Sequence, residues 1–202
     1  MRNYISINNQ KIELTDEQTE QLRRSLNLPC VKLADVPVGE TFKVGNYEMV
    51  VLEHSGDTTA VVLKDLLPDQ PFGDNNNYNG SDVDKTCLKF AAEVEAIVGR
   101  ENLCMHTVDL TADDGLKCYG SVKRKASLLT AEKYRRFVYV LDKHKLDAWW
   151  WLATAFSTPV HDCLSSVKCV APSGCVGRSC NNRGYYGVRP FCILKSHIFV
   201  SK

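Results

Sequence analysis

The sequence predicts an α+β domain in which two helices pack against a small, mostly antiparallel sheet. Three observations lead to this prediction. Between residues 31 and 63 apolar and polar residues alternate, which is the period of half-buried strands. Two later segments, 82–99 and 131–144, carry apolar residues at helical spacing. The aromatic run Trp149-Trp150-Trp151 is typical of a buried strand.

Composition limits the classes of protein to which the chain can belong. Its 202 residues are 44% hydrophobic and 24% charged, which is enough for one compact domain with a small N-terminal addition. The 25 basic and 24 acidic residues leave a net charge of +1, which argues against nucleic acid as a partner. No apolar run approaches the roughly 18 residues of a membrane span, and the first residues contain no hydrophobic signal core. We therefore expect no membrane insertion, no signal peptide and a cytoplasmic or virion-associated protein.

Residues 1–29 are predicted to form a helical appendage to the domain made by residues 30–202. Thr15 and Gln18 have the spacing of a capping box, with Thr15 as the N-cap of a helix. The helix is expected to end near Asn27, before Pro29. Because its apolar residues are few, we expect it at the surface or at a contact between subunits, which leaves a homo-oligomer open.

Turn and cap residues mark the predicted elements within the domain. Strands are predicted at 42–44, 47–52 and 58–63, separated by Gly45-Asn46 and by Ser55-Gly56-Asp57. Ser81 and Thr130 are the expected N-caps of the two helices. Short strands and turns are expected over 102–128, and short strands at 167–170 and 188–194 close the chain.

The nine cysteines are expected to be reduced thiols, because their number is odd and no export signal is recognised. Five of them lie in the last forty residues: Cys163, Cys169, Cys175, Cys180 and Cys192. Their separations of 6, 6, 5 and 12 residues, without any C-x-x-C pair, are not those of a zinc site.

Other combinations of reactive residues also have simpler explanations. His161, Asp162 and Cys163 are adjacent, but neighbours on an extended chain face opposite sides, so adjacency does not predict a catalytic pair. The spacing of Asp109, Asp113 and Asp114 does not fit a calcium loop and favours turns. Nucleotide-binding and hydrolase motifs are absent from the sequence. We expect no catalytic residue, no metal and no cofactor.

Residues 169–194 have an unusual composition. They contain no Lys, Glu, Gln, Met or Trp, although these five types fill 35 of the other 176 positions. If the five types occurred everywhere at that rate, a 26-residue segment would lack all of them with a probability of about 0.3%. No codon ending in a pyrimidine encodes these five types, whereas Cys, Ser, Asn, Gly, Arg and Tyr are all reached by changing the first two bases of AAC. The composition fits diversification at adenines, and it also fits a Gly/Ser/Asn-rich surface loop.

The same segment has the chemistry of a recognition surface. Tyr185 and Tyr186 offer rigid contact area, and Arg178 and Arg183 offer forked donors. Ser, Asn and Gly residues provide adaptable hydrogen bonding.

The motifs around this segment resemble those of a known family. The strand that begins Trp149-Trp150-Trp151-Leu152-Ala153-Thr154 and the closing Gly187-Val188-Arg189-Pro190 look like the C-terminal signature of a phage and bacterial family of unknown function. Similar endings occur in the variable proteins of diversity-generating retroelements, whose ligand-binding ends adopt a C-type-lectin fold related to formylglycine-generating enzyme. The resemblance covers about residues 31–202.

The resemblance implies a C-type-lectin-like domain with irregular C-terminal loops and a variable, ligand-binding region at about 163–186. The framework would comprise Trp150, Leu152, Val167, Val170, Gly174, Val176 and residues 187–190. The ligand-binding positions would be Cys163, Leu164, Ser165, Ser166, Ala171, Ser173, Cys175, Gly177, Arg178, Ser179, Cys180, Asn181, Asn182, Arg183, Tyr185 and Tyr186. Ala153-Thr154 stands where many members have Arg-Ser, and the copper-binding cysteine pair of the related enzyme is not recognised.

These observations predict a non-enzymatic protein that displays a diversified surface to a protein or cell-surface ligand; in phage, such proteins can bind host receptors. One alternative is an enzyme, either thiol-dependent, with Cys163 or Cys175 acting with His161, or of the formylglycine-generating type. Another is a structural phage protein without a diversified site.

Overall fold

The computed structural model describes residues 3–7, 10–25 and 30–202 and mixes helices with antiparallel strands, in agreement with the predicted α+β class. The helices are α1 (Asp16–Ser25), α2 (Asp82–Val98), α3 (Ala131–Arg136) and α4 (Val138–Leu141). The strands are β1 (Asn3–Ile7), β2 (Gln10–Leu14), β3 (Cys30–Lys32), β4 (Thr41–Val44), β5 (Tyr47–Ser55), β6 (Thr58–Leu63), β7 (Leu103–Cys104), β8 (His106–Asp109), β9 (Ser121–Arg124), β10 (Ala126–Leu128), β11 (Trp150–Ala155), β12 (Ser166–Val170), β13 (Val176–Cys180), β14 (Pro190–Lys195) and β15 (Phe199–Ser201). Short 3-10 turns lie at Leu33–Asp35, Asp142–His144 and Pro159–His161.

The strands form four sheets. The largest has the order β10-β14-β6-β5-β4-β15-β3, with β7 also paired to β14. A separate three-stranded sheet has the order β11-β12-β13, and the hairpins β1-β2 and β8-β9 make two-stranded sheets. The eight-stranded sheet is larger than the small sheet predicted, because β7 and β10 add short strands beside β14, and β15 and β3 add short strands beyond β4.

The large sheet has a hydrophobic core on each face. Successive side chains of a strand point to opposite sides, and here both sets are buried. In β5, Met49 and Val51 join the core under α2, whereas Val50 and Leu52 join the core under α3 and α4. A third core, which contains Phe72 and Trp151, lies against the three-stranded sheet. This third core supports the C-terminal segment.

The predicted helix starts are confirmed by cap hydrogen bonds. Thr15 and Gln18 bond reciprocally, with the Gln18 N–H donating to Thr15 Oγ1 (3.1 Å) and the Thr15 N–H to Gln18 Oε1 (2.9 Å). Ser81 Oγ accepts from the Asp84 N–H, and Thr130 Oγ1 accepts from the Lys133 N–H. The predicted end of the first helix near Asn27 lies outside the described residues.

Two further details differ from the predictions, one in the N-terminal segment and one in the helices. Residues before α1 form the β1-β2 hairpin, which the sequence pattern did not predict. The segment 131–144 is not one helix, because Phe137 (φ −100°, ψ 10°) separates α3 from α4. The β-branched residues that follow it, Val138 and Val140, have low helix propensity, which favours such a break.

None of the described helices is long and apolar enough to span a membrane.

Candidate functional site

The predicted ligand-binding positions lie mainly on β12, β13 and the loops at their ends. β13 pairs antiparallel with β12 in a regular register from Ser166↔Cys180 to Val170↔Val176. Among the residues that the structure describes, β12 is the one strand partner of β13, so β13 is an edge strand.

The inner face of this sheet is fixed by an aromatic cluster. The Tyr186 ring stacks on Trp151, with ring centroids 4.3 Å apart and planes inclined by 22°. Phe72 meets Trp151 edge to face at 5.7 Å. Trp151 Nε1 donates to the Gln70 carbonyl (3.0 Å), and the Gln70 N–H donates to the Tyr186 carbonyl (3.0 Å). The indole N–H of Trp151 is thus satisfied by a backbone carbonyl, as burial of an indole requires.

Asn76 holds the loop that precedes β12. Its side chain is fully buried, and Nδ2 lies within hydrogen-bonding distance of the carbonyls of Ser157 (2.9 Å), Cys163 (3.1 Å) and Ser166 (3.2 Å). Tyr119 Oη donates to Asn76 Oδ1 at 2.6 Å. Because the loop is held through its carbonyls, its side chains can change without loss of these bonds.

Asn181 plays the same part for the loop that follows β13, at the same end of the sheet. Its N–H donates to the Ser165 carbonyl (2.7 Å), its carbonyl accepts from the Phe72 N–H (2.7 Å), and its side-chain amide donates to the Gly73 carbonyl. The loops at 163–166 and 181–186 are therefore both attached to the segment around Phe72 and Asn76.

Residues 187–190 form a buried support beneath the segment. The Gly187 N–H donates to the Trp149 carbonyl (2.8 Å), and its own carbonyl accepts from the Trp151 N–H (3.1 Å). A side chain at Gly187 would collide with Leu66, since an added Cβ would lie 2.9 Å from Leu66 Cβ.

Arg189 completes this support. The guanidinium is buried and donates to the carbonyls of Leu63 (2.9 Å), Lys64 (3.1 Å) and His144 (3.2 Å). Burial lowers its pKa to about 10, so the group remains charged at neutral pH. It also lies 5.3 Å from the ring of Trp150. One side chain thus joins the closing strand to three other segments.

The structure divides the predicted ligand-binding positions by exposure. The exposed positions are Leu164, Ser165, Ser173, Cys175, Arg178, Cys180, Asn182, Arg183 and Tyr185. Cys163, Ser166, Ala171, Gly177 and Ser179 are half-buried. Asn181 and Tyr186 are buried, and through the contacts described above they support the surface instead of contributing to it.

Two aromatic residues outside the predicted positions also border this surface. Trp149 is 38% exposed, precedes β11 and lies 5.7 Å from Tyr186. Phe156 carries the Arg178 guanidinium over its ring at 4.0 Å, a cation–π arrangement. The run of three tryptophans could have predicted that one of them borders the surface, because the side chains of three consecutive strand residues cannot all face one core. Nothing in the sequence pattern singled out Phe156.

The surface has an excess of positive charge. Residues 169–194 contain no Asp or Glu and three arginines, of which Arg178 and Arg183 are exposed and Arg189 is buried. Within the described part of the chain, no ion pair joins Arg178 or Arg183 to a carboxylate, whereas the neighbouring Lys168 is paired to Asp113 at 3.0 Å. Burial pushes the pKa of Asp113 up, but Lys168 and Arg135 outweigh that effect and lower it below its usual value. Arg178 and Arg183 are thus left to interact with solvent or a ligand.

Among the described residues, no hydrogen bond or ion pair joins His161 to Cys163 or Cys175, so they do not form a nucleophile–base pair. His161 Nδ1 lies 3.2 Å from Asp114 Oδ2 and 3.4 Å from Ser157 Oγ. The hydrogen bond from Ser157 is the main cause that lowers the pKa of Asp114. All nine cysteines fall within the described residues and are free thiols. Over residues 3–7, 10–25 and 30–202, no three His, Cys, Asp or Glu side chains are grouped so as to hold a metal ion.

Turns were predicted for Asp109, Asp113 and Asp114. Asp109 and Asp114 accept turn hydrogen bonds with their side chains, and Asp113 lies in the turn closed by the bond from the Gly115 N–H to the Ala112 carbonyl (2.9 Å). Asp109 Oδ1 accepts from the Thr111 N–H (2.8 Å), and Asp114 Oδ1 accepts from the Leu116 N–H (2.9 Å). Both bonds span two residues, which is the geometry of an Asx turn.

Comparison of the chain with protein-family models, with curated proteins and with solved structures finds no significant match.

Proposed function

We propose that this protein is a non-enzymatic ligand-binding protein whose exposed C-terminal surface is diversified, as in the variable proteins of diversity-generating retroelements. The proposal includes a C-type-lectin-like arrangement of the domain and a role in recognising a protein or cell-surface ligand, such as a host receptor bound by a phage particle. It needs no metal, cofactor or catalytic residue.

One observation carries the proposal. Exposed and buried residues separate sharply across a short stretch of sequence: most side chains from Arg178 to Tyr185 are exposed, whereas Gly187, Val188, Arg189 and Pro190 are buried. The unusual composition of residues 169–194 thus coincides with a surface whose exposed side chains contribute little to the core. A surface that is replaced repeatedly needs this separation, because most changes in a core destabilise a protein.

The residue types at the exposed positions suit recognition. Tyr185 and Trp149 supply rigid aromatic area, and Arg178 and Arg183 supply unpaired donors. The hydrogen bonds that Asn76 and Asn181 donate to backbone carbonyls hold the loops in place before a ligand binds, which limits the entropy lost on binding.

Sequencing the DNA around the gene tests the proposal. We expect a reverse-transcriptase gene nearby and a near-copy of the segment that encodes residues 163–186, with the copy carrying adenines where the gene differs from it. If a complete flanking sequence contained neither the near-copy nor a reverse transcriptase, the proposal of a diversified surface would fail.

A further inference from the structure

The free edge of β13 has a regular row of unpaired backbone groups. The Asn181 N–H donates to the Ser165 carbonyl, and the Ala171 N–H donates to the Cys175 carbonyl. These two bonds show that Asn181 and Cys175 occupy hydrogen-bonded positions opposite the segment that contains β12. Because hydrogen-bonded and non-hydrogen-bonded pairs alternate along an antiparallel ladder, Gly177 and Ser179 also direct their N–H and C=O groups at β12. Val176, Arg178 and Cys180 therefore direct theirs away from β12.

Among the described residues, only one of these outward groups has a backbone hydrogen-bond partner. Of them, the Cys180 carbonyl accepts from the Arg183 N–H (3.2 Å), which closes the turn after the strand. The N–H groups of Val176, Arg178 and Cys180 and the carbonyls of Val176 and Arg178 have no backbone partner in the described part of the chain. A row of this kind is a template for another strand.

β13 has little of the protection that is usual at edge strands. Natural edges are shortened, bulged, or occupied by charged residues or Pro. β13 runs for five residues without a bulge and contains no Pro, and its one charged residue is Arg178. In contrast, β3 and β10 at the margins of the large sheet have three residues each, and β9 carries Lys123 and Arg124.

We infer that this edge binds an extended peptide segment of a protein partner, which adds as a strand beside β13 and carries acidic side chains. The inference rests on the proposed function and names the kind of ligand. Backbone pairing would give affinity that survives changes of side chain, whereas the variable side chains would select among peptides.

Charge on the surface determines the preferred peptide chemistry. Arg178 lies in the middle of β13 and Arg183 follows the strand; both are exposed, and the surrounding segment has no carboxylate of its own. A peptide strand laid along the edge would place alternate side chains beside Arg178, where a carboxylate would form a charge-assisted hydrogen bond.

The test uses a displayed library of random 12-residue peptides selected on the full chain. We expect enrichment of peptides that contain Asp or Glu. Cys180→Pro removes an outward N–H without touching the pairing to β12, and proline is tolerated at such positions on an edge. It should weaken binding of the selected peptides by about tenfold or more, whereas Cys180→Ser, which changes the same side chain but keeps the N–H, should weaken it much less than the proline does.

A second pair of variants separates the contribution of the Arg178 charge to binding from that of backbone pairing. Arg178→Ala keeps the outward N–H but removes the guanidinium and should weaken binding by about tenfold, with partial recovery in Arg178→Lys. Thermal unfolding confirms that each variant is folded. Hydrogen exchange provides an independent measurement, because the Arg178 amide should become protected when a peptide is bound.

Each other outcome overturns the inference. If Arg183→Ala and Tyr185→Ala abolish binding but Cys180→Pro does not, the surface binds through side chains, and the proposed function stands without the added strand. If the chain is a dimer that Cys180→Pro dissociates, the edge is covered by a second copy. If no peptide is enriched, an extended peptide is not the ligand, and the DNA around the gene still decides the proposed function. If substitutions anywhere in 163–186 leave binding unchanged, both ideas fail.

Discussion

The rings of Tyr186 and Trp151 are stacked 4.3 Å apart, and this contact anchors the exposed segment to the core. The adjacent Tyr185 lies 5.0 Å from Tyr186 on its solvent side. Tyr186 is 5% exposed and Tyr185 is 57% exposed. Two neighbouring tyrosines thus differ in burial, and in the proposed function Tyr186 belongs to the framework and Tyr185 to the recognition surface.

Substitution of the two tyrosines should therefore have different effects on stability. Tyr186→Ala removes a buried ring and should lower the free energy of unfolding by about 3 kcal/mol. Tyr185→Ala, the matched control, should change it by less than about 0.5 kcal/mol. Urea unfolding followed by circular dichroism measures both. Equal losses in the two variants would show that the segment is not divided into framework and surface.

Arg189 should be indispensable to the framework. Arg189→Met leaves the carbonyls of Leu63, Lys64 and His144 without their donor and should cost about 3 kcal/mol in the free energy of unfolding. Arg183→Met is the control, because Arg183 is exposed. A loss below about 1 kcal/mol in Arg189→Met would contradict the role assigned to this guanidinium.

His106 should make stability depend on pH. Its Nε2 lies 2.9 Å from Ser127 Oγ, its Nδ1 is buried without a hydrogen-bond partner among the described residues, and burial lowers its pKa to about 3. Between the ordinary histidine value near 6.5 and about 3, the unfolded chain binds a proton that the folded chain does not. This contribution to stability is therefore complete above pH 6.5 and is lost as the pH falls toward 3.

The difference between wild type and His106→Gln isolates this effect. Within that window the wild-type free energy of unfolding should fall by up to about 1.4 kcal/mol per pH unit more steeply than that of the variant. His197→Gln, which replaces an exposed histidine, serves as control. Parallel curves for wild type and His106→Gln in urea titrations from pH 7 to pH 4 would contradict a neutral, buried His106.

Thiol reactivity distinguishes the recognition role from a thiol enzyme. Burial raises the pKa of Cys87 and of Cys192 to about 12 and that of Cys169 to about 11, so these three should resist alkylation at pH 7.5. Cys163 and Cys175 should react with iodoacetamide within about tenfold of the rate of the exposed Cys118, as followed by mass spectrometry. One of them reacting far faster than Cys118 would favour the enzyme.

Sequence patterns predicted the elements whose signals are local. The caps Thr15, Ser81 and Thr130 and the hairpin turn at Gly45 depend on a few adjacent residues, and the structure has all of them. The break at Phe137 was not predicted, because apolar spacing continues through it.

The support of the candidate site depends on contacts between distant residues, which sequence patterns do not reveal. Asn76 lies in the polar run Asn75-Asn76-Asn77, and no local pattern shows that its buried amide reaches carbonyls about ninety residues away. Asn181 and Tyr186 have the same residue types as their exposed neighbours, and only the fold distinguishes them. The outward backbone groups of β13 likewise follow from its position at the edge of a sheet.

The most direct measurement is the sequence of this gene in many isolates that are otherwise nearly identical. Substitutions should concentrate at the exposed positions, above all Arg178, Cys180, Asn182, Arg183 and Tyr185, while Gly187 to Pro190 stay unchanged. Substitutions scattered evenly over the chain, or equally frequent at Gly187 to Pro190, would contradict a replaceable surface on a fixed framework.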